Sequence, residues 1–261
     1  MQNKECADIA IRALDFINSK LIDEDKQIYV RYREGEAAFN GTLDDYAFFC
    51  HALLSVYEAT FDISYLKQAI EFTDKMLLDF WDDINEGFFL TGNQAEELIY
   101  RPKESYDGAI PSGNSVAAYV LQKISYITGK TKYKEYAHKQ LRFLGGQAKD
   151  YPVAYSFAGL AFLNALYPTK EIICIVCNKD DNTTTEKTVK RNPLENPELE
   201  ELKEYMAANY NPNTIVLVKT QENQEEFQQI AEYVADYRAI NNKTTYYICE
   251  NNRCLAPVNK L

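Results

Sequence analysis

Six segments of the chain have the hydrophobic period of an α-helix, and they alternate between two kinds. One kind carries a single apolar stripe opposite a charged face and covers 4–22, 63–80 and 131–145. The other kind is apolar on nearly every side and covers 43–59, 112–127 and 151–166. Because a one-faced helix lies on a surface and an all-round apolar helix must be enclosed, the alternation predicts helical hairpins with an outer and an inner layer.

Two of these hairpins repeat each other in sequence. The residue types at positions 60, 65 and 69 return at positions 128, 133 and 137, at a constant spacing. Such a repeat is typical of architectures built from equivalent helical units. We therefore predict a mainly α fold in which residues 1–168 form about three hairpins, a partial ring of the (α/α)6 toroid type.

The pattern changes to alternating strands and helices after residue 168. Three segments rich in β-branched and apolar residues predict strands: 171–178, 214–220 and 244–251. The stretches between them are helical. This order predicts a small β-α-β-α-β domain over 169–261 with a mostly parallel, three-stranded sheet. The domain has no glycine-rich phosphate loop, so no nucleotide cofactor is predicted.

The charge balance narrows the expected partners. The chain has 261 residues and a formal net charge of −11, whereas nucleic acids and anionic lipids require a basic surface. No apolar run approaches the roughly 18 residues of a membrane span, and the N-terminus lacks the pattern of a signal peptide. Six cysteines are too few for a disulfide framework in a chain of this length. We therefore expect a cytoplasmic protein with neither a nucleic-acid nor a membrane partner.

Two cysteines near the C-terminus leave three interpretations open. Cys249 and Cys254 flank a short turn that could bring their sulfur atoms together. A zinc site would need two further ligands, and a stable disulfide would need an oxidising setting. Simple burial is therefore favoured, and no metal site is predicted.

Two long links, 23–42 and 81–111, lead into inner helices, so both are expected at the rim that the helix N-termini form. Long ordered loops in compact domains are often functional. The rim carries four carboxylates as candidate catalytic residues: Asp44, Asp45, Glu104 and Asp107. Paired carboxylates can supply the general acid and the general base for chemistry on a glycosidic bond.

A structural interpretation of the same residues is also open. Asp44 could only cap its helix, and Asp45 could pair with an arginine of the preceding link. The rim also offers candidate substrate-binding side chains: Arg31, Arg33, Tyr32, Trp81, Phe88, Tyr106, Ser112 and Asn114. The hydroxyl and amide groups suit sugar hydroxyls, and the aromatic rings could stack on a sugar ring or only pack the loops.

Four segments resemble the C-terminal half of the YyaL / spermatogenesis-associated protein 20 family. They are YVRYREGEAAFNGTLDDYAFF at 29–49, FWDDINEGFFLTG at 80–92, RPKESYDGAIPSGNSVAA at 101–118 and a closing C-x4-C-x-x-P element at 249–257. The resemblance implies a thioredoxin-like domain, an (α/α)6 toroid similar to N-acylglucosamine 2-epimerases and six-hairpin glycosidases, and a small α/β tail. This chain lacks the first part and about half of the toroid. The resemblance implies no cofactor and no assigned activity.

Two functional hypotheses follow from the pattern and the resemblance. In the first, the chain is a carbohydrate-binding or carbohydrate-modifying toroid, of the sugar epimerase or glycoside hydrolase type if it is an enzyme. In the second, it is a non-catalytic scaffold that completes a larger protein. A half-ring leaves apolar surface exposed, so we expect self-association or binding to the missing N-terminal half.

Overall fold

The computed structural model describes residues 4–95, 99–167, 169–177, 196–209, 212–250 and 253–261. Within these residues the α-helices are α1 (Lys4–Lys20), α2 (Leu43–Thr60), α3 (Ile63–Phe80), α4 (Gly113–Thr128), α5 (Thr131–Ala148), α6 (Ser156–Leu166), α7 (Glu200–Ala208) and α8 (Gln224–Ile230). The strands are β1 (Tyr29–Arg33), β2 (Glu36–Asn40), β3 (Lys170–Ile175), β4 (Thr214–Lys219), β5 (Thr245–Glu250) and β6 (Arg253–Cys254). The fold is mainly α with small β-sheets, as the sequence predicts.

The helices of the first 167 residues pack in two layers. Helix α4 lies between α2 and α6, and these three are called the central helices below. Helices α1 and α3 pack on α2, and α5 packs on α4. The expectation that all three central helices are enclosed is wrong for α6. This helix buries only Ala158, Ala161 and Asn164, because no further helix of the described chain covers its other side.

The sequence repeat is also a repeat of local structure. Thr60 and Thr128 each donate a hydroxyl hydrogen bond to the carbonyl four residues earlier, at 2.7 and 2.8 Å. Each hydroxyl also accepts from the backbone N–H two residues later, at 3.2 Å. The next residues, Phe61 and Gly129, both adopt the left-handed conformation, with φ of 57° and 64°. The repeated threonine therefore fixes the same turn in both hairpins.

The small sheet differs from the predicted one. Its strand order is β4-β3-β5-β6, with β3 parallel to β4 but antiparallel to β5. The buried ammonium of Lys219, at the end of β4, donates to the carbonyls of Val234, Ala235 and Tyr237 at 3.1, 2.7 and 3.1 Å. These bonds hold the returning chain at the edge where β4 ends. Strand β5 therefore starts from that edge and runs antiparallel, so the prediction of a mostly parallel three-stranded sheet is wrong.

The sheet is buried on both faces. Ile173, Ile175 and Leu217 join the same hydrophobic core as the helices, while the opposite face packs against Leu199 and Leu202 at the start of α7. The helical part and the α/β part thus share one core, and the division at residues 168 and 169 stays a prediction. Among the described residues, no helix combines the length and the apolar composition that crossing a bilayer requires.

The link over 23–42 contains an element that the helical pattern did not predict. Strands β1 and β2 pair as an antiparallel hairpin, with Arg31 opposite Ala38. The hairpin stands beside α1, because the Tyr32 ring makes an edge contact with Phe16 at 5.8 Å. Its strand β1 carries two exposed arginines, Arg31 and Arg33.

Candidate functional site

The N-termini of the three central helices lie together and are joined by two carboxylates. Asp44, in the first turn of α2, accepts a 2.8 Å hydrogen bond from the Gly113 N–H at the start of α4. Asp107 accepts from the Ser112 N–H at 2.9 Å and from the Phe157 N–H of α6 at 2.8 Å. The rim that we describe consists of these three N-termini with residues 101–112.

Asp107 is enclosed by donors on both oxygen atoms. Its Oδ1 accepts from the backbone and hydroxyl of Ser112, and its Oδ2 accepts from the N–H groups of Phe157 and Ala158. The residue is only 9% exposed. Its own N–H donates to the Ala154 carbonyl at 2.8 Å. A carboxylate with this surrounding satisfies helix N-termini and has no oxygen left for a substrate.

Asp45 stabilises the start of its own helix. Its Oδ2 accepts from the Thr42 N–H at 2.7 Å and from the Thr42 hydroxyl at 3.0 Å. Thr42, rather than Asp44, is the N-cap of α2. The alternatives that Asp44 caps the helix and that Asp45 pairs with an arginine are therefore not what the structure shows.

The two arginines of the preceding link have other partners. Arg31 lies over the Phe39 ring at 4.8 Å, and Arg33 pairs with Glu34 at 3.1 Å. Both side chains are exposed. Neither arginine contacts the carboxylates at the start of α2, so the structure keeps them available to solvent.

Asp44 and Glu104 are two rim carboxylates that solvent reaches. Asp44 is half-buried, and within the described residues only its Oδ1 takes part in a hydrogen bond. Burial raises the pKa of Asp44, and the charges of Glu104 and Asp45 raise it further, while the Gly113 hydrogen bond opposes the change. Glu104 is exposed. The rim therefore brings together one carboxyl that holds its proton more tightly than usual and a second, accessible carboxylate.

Asn114 and Ser112 hold the rim together instead of facing a ligand. Asn114 is fully buried, and its amide donates to the carbonyls of Phe88 and Glu104 at 2.9 and 2.7 Å. Its Oδ1 accepts from the Phe88 N–H and from Gln140. Ser112 is the N-cap of α4 and accepts from the Ser115 N–H. Their hydrogen-bonding groups are already used within the protein, so they are not free for a sugar.

Of the aromatic candidates, only Tyr106 is widely exposed. Trp81 and Phe88 are buried and in edge-to-face contact at 4.9 Å, so they pack the loop against the helices. Tyr106 is 63% exposed. Tyr151, which the sequence analysis missed, is 64% exposed on the segment that leads into α6. Its position just before an inner helix, next to Pro152, was the signal that could have identified it.

His51 is a half-buried histidine of α2. Its ring contacts the rings of Tyr119 and Phe157 at 5.5 and 6.0 Å. Burial lowers the pKa of His51, and the nearby Lys123 charge lowers it further. In the part of the chain that the structure describes, no group of three or more His, Cys, Asp or Glu side chains is arranged to hold a metal ion.

The C-terminal cysteines form a covalent pair. Cys249 and Cys254, on β5 and β6, are joined by a disulfide. Simple burial, which the sequence analysis favoured, is therefore wrong for this pair, because the hairpin brings the two sulfur atoms into bonding contact.

Comparison with known proteins finds distant relatives of the chain. Spermatogenesis-associated protein 20 of Homo sapiens is 25% identical to the chain over 219 residues, which is 84% of this chain and 26% of the human protein. The Rattus norvegicus protein of the same name is 26% identical over the same shares. The chain is distantly similar to these proteins. It spans about a quarter of the length of these curated relatives.

A third similar protein has no activity in its name. An uncharacterised protein of Caenorhabditis elegans is 29% identical over 154 residues, which is 56% of this chain and 21% of the relative. No family model matches the chain. The predicted resemblance to the spermatogenesis-associated protein 20 family is thus confirmed, and the names of the relatives assign no reaction to the chain.

Proposed function

We propose that the chain is part of a carbohydrate-binding or carbohydrate-modifying toroid of the (α/α)6 type. In this proposal Asp44 and Glu104 form the acid/base pair at the rim. The observation that carries it is the raised pKa of Asp44 beside the accessible Glu104. Asp45 and Asp107, which the sequence also made catalytic candidates, serve to position this pair.

The chemistry of the proposal needs two carboxyl groups in different protonation states. A general acid must keep its proton until it delivers it to a leaving oxygen, while a general base must be ionised. Burial favours the protonated form of Asp44, which suits the acid. Glu104, which is exposed, takes the role of the base in this proposal.

Substrate contacts in this proposal come from exposed side chains of the rim and of the hairpin that β1 and β2 form. Tyr106 offers an aromatic face for a sugar ring, and Arg31 and Arg33 offer donors to hydroxyl groups. The other candidate side chains are buried or already hydrogen-bonded, so in this proposal they hold the exposed ones in place: Trp81, Phe88, Ser112 and Asn114. The toroid would comprise residues 1–168, and residues 169–261 would be an α/β appendage to it.

A thermal-shift screen against monosaccharides and disaccharides tests the proposal, with the variants Asp44→Asn and Glu104→Gln. A ligand that binds only the folded state at about 100 times its Kd stabilises it by about 2.7 kcal/mol. We expect a sugar that raises the Tm of the wild type and fails to do so in both variants. Asp83→Asn, at an exposed carboxylate outside the rim, is the matched control and should keep the shift. Absence of a shift with every sugar would count against the carbohydrate site.

A second candidate function is supported by exposed apolar helix faces. Leu160, Leu163 and Leu166 of α6 are exposed, as are Ile9 and Phe16 of α1. Patches of this kind often mark surfaces that bind another protein. As an alternative we propose a scaffold module that associates with a second copy, or with the part of the ring that this chain lacks.

Light scattering over a range of concentrations tests the scaffold candidate. The wild type should associate, and the double variant Leu160→Gln/Leu163→Gln should shift the equilibrium toward monomer. Leu78→Gln, at an exposed leucine of α3, is the control and should leave association unchanged. A wild type that remains monomeric at every concentration would contradict association with a second copy.

A further inference from the structure

The two cysteines of the disulfide near the C-terminus differ in their exposure to solvent. Cys249 lies on β5 and is only 6% exposed, whereas Cys254 on β6 is exposed. A thiolate that attacks a disulfide must reach one of the sulfur atoms along the line of the S–S bond. Cys254 is the exposed residue of the pair, so attack is expected at its sulfur atom.

The surroundings of Cys254 also suit exchange with a thiol. The Tyr237 hydroxyl lies 3.7 Å from Cys254 Sγ. Burial raises the pKa of Tyr237, so this hydroxyl stays protonated and can donate to a sulfur that carries negative charge. Arg253 is exposed and directly precedes Cys254, and a neighbouring cation stabilises a thiolate.

The bond closes a terminal segment onto the outer edge of the sheet. Residues 253–261 cover the free side of β5, where the Leu255 N–H donates to the Ile248 carbonyl at 2.9 Å. Farther along, Val258 pairs with Tyr246 through two bonds of 2.8 and 3.0 Å, and Asn259 donates to the Thr244 carbonyl at 3.0 Å. These later contacts need no disulfide, so the segment keeps a second anchor when the bond is opened.

We propose that Cys249 and Cys254 form a reversible latch, opened by a low-molecular-weight thiol of the glutathione class that attacks Cys254. The latch frees residues 253–255 from the edge of β5 and leaves the rest of the fold intact. Exposed disulfides are the ones that redox partners reduce most readily. The loop that this bond closes is short, and in the chain-entropy account a short loop contributes less to global stability than a long one.

The exchange balances in two steps. In the first, the attacking thiolate forms a mixed disulfide with Cys254 Sγ, and the electron pair of the broken bond passes to Cys249 Sγ, which takes up a proton. In the second, another thiol attacks the mixed disulfide and expels the Cys254 thiolate beside the Tyr237 hydroxyl. The protein then carries two thiols, and the two small thiols leave as one oxidised dimer. The oxidised dimer reverses the sequence.

A glutathione titration of the full chain tests the latch. The protein is equilibrated at increasing ratios of reduced to oxidised glutathione, then alkylated and mapped by peptide. Cys249 and Cys254 should become alkylated together in one transition while the buried Cys50 stays unlabelled. Amide exchange at Leu255 should quicken about tenfold, with β3 unchanged. A bond that opens only together with labelling of Cys50, or opens without faster exchange at Leu255, would overturn the proposal.

Two variants, in each of which one cysteine of the pair is replaced by serine, test which sulfur atom the thiol attacks. In Cys249→Ser, oxidised glutathione should add readily to Cys254, at a rate comparable with the exposed Cys6. In Cys254→Ser, addition to Cys249 should be at least about tenfold slower, because that sulfur is buried. Equal rates in the two variants would overturn the one-sided mechanism. Tyr237→Phe should slow release of the mixed disulfide without changing the Tm difference between oxidised and reduced protein.

Discussion

Two carboxylates join neighbouring central helices at the rim, Asp44 between α2 and α4 and Asp107 between α4 and α6. Asp107 has donors on both oxygen atoms, from Ser112 on one side and from Phe157 and Ala158 on the other. Asp44 accepts one hydrogen bond, and its pKa is raised. Position at a helix N-terminus is therefore common to the two carboxylates. What differs is the number of hydrogen bonds they accept, four for Asp107 and one for Asp44.

Removal of the Asp107 carboxylate tests its structural role and should have the largest effect on stability of the predictions made here. Asp107→Ala leaves the N–H groups of Ser112, Phe157 and Ala158 without their acceptor. A buried donor without a partner costs about 1–3 kcal/mol, so we expect the free energy of unfolding to fall by about 3 kcal/mol. Urea denaturation measures it.

The matched control for this variant is Asp83→Ala, at an exposed carboxylate, which should change stability by less than about 0.5 kcal/mol. Asp107→Asn should fall between the two, because its amide group can accept hydrogen bonds through one atom only. An Asp107→Ala variant as stable as the control would remove the distinction between the two rim carboxylates.

The second prediction attacks the contact that joins α2 to α4. A Cβ at Gly113 would lie 2.3 Å from Asp44 Oδ1 and 2.9 Å from Leu43 Cγ. Gly113→Ala must therefore push Asp44 away, and overpacking of this kind costs about 1–3 kcal/mol. The Tm by calorimetry should fall accordingly.

Gly146→Ala is the control, because a Cβ there meets nothing within 4 Å in the last turn of α5. Alanine is favoured over glycine in a helix by up to about 1 kcal/mol, so this variant should keep or gain stability. If both glycine variants gained stability, the close approach of Asp44 to α4 would be disproved.

How much of this was predictable from the sequence depends on the range of the interactions. The hydrophobic period located α2, α3 and α4 within one residue of their observed starts. This succeeded because the distribution of apolar residues around a helix is set by the local sequence. The repeated Thr60 and Thr128 marked equivalent turns because each threonine bonds within its own helix. The gathering of helix N-termini followed from the direction of the hairpins.

The roles at the rim were not predictable, because they depend on contacts distant in sequence. Asn114 is hydrogen-bonded to Phe88 and Gln140, each 26 residues away. The sequence suggested an amide that is available to a ligand, but in the fold this amide is buried and links two distant segments. The antiparallel β5 depends on Lys219 bonding to carbonyls 15 to 18 residues away. Such pairings leave no periodic signal, and residue type alone suggested ligand binding for groups that the fold itself uses.

The third prediction concerns Asp82, whose pKa is lowered, whereas the pKa of Asp44 is raised. Burial alone would raise the pKa of Asp82, but the hydrogen bonds from Lys103, Ile84 and Asn85 outweigh it and lower the pKa to about 2. A lowered pKa contributes stability above the unfolded value of about 4, and this stability is lost as the pH falls toward 2. The loss should be about 1–2 kcal/mol.

Unfolding curves between pH 5 and 2 measure this contribution through Asp82→Asn. The difference between wild type and variant should shrink as the solution becomes more acidic. Asp83→Asn, at the neighbouring exposed residue, should run parallel to the wild type throughout. A constant difference for Asp82→Asn would show that its ionised form is not preferentially bound in the folded state.

Asp44 should show the opposite dependence on pH, with the smallest effect of the four. Its pKa is raised in the folded protein, so ionisation costs stability above that pKa and the cost disappears as the pH falls through it. Asp44→Asn keeps an oxygen for the Gly113 N–H and removes the charge. At pH 7 it should therefore match or exceed the wild type by less than about 1 kcal/mol, and the wild type should regain the difference near pH 4. Paired unfolding curves check this, and a variant that is more stable at low than at neutral pH relative to the wild type would contradict the raised pKa on which the acid role of Asp44 depends.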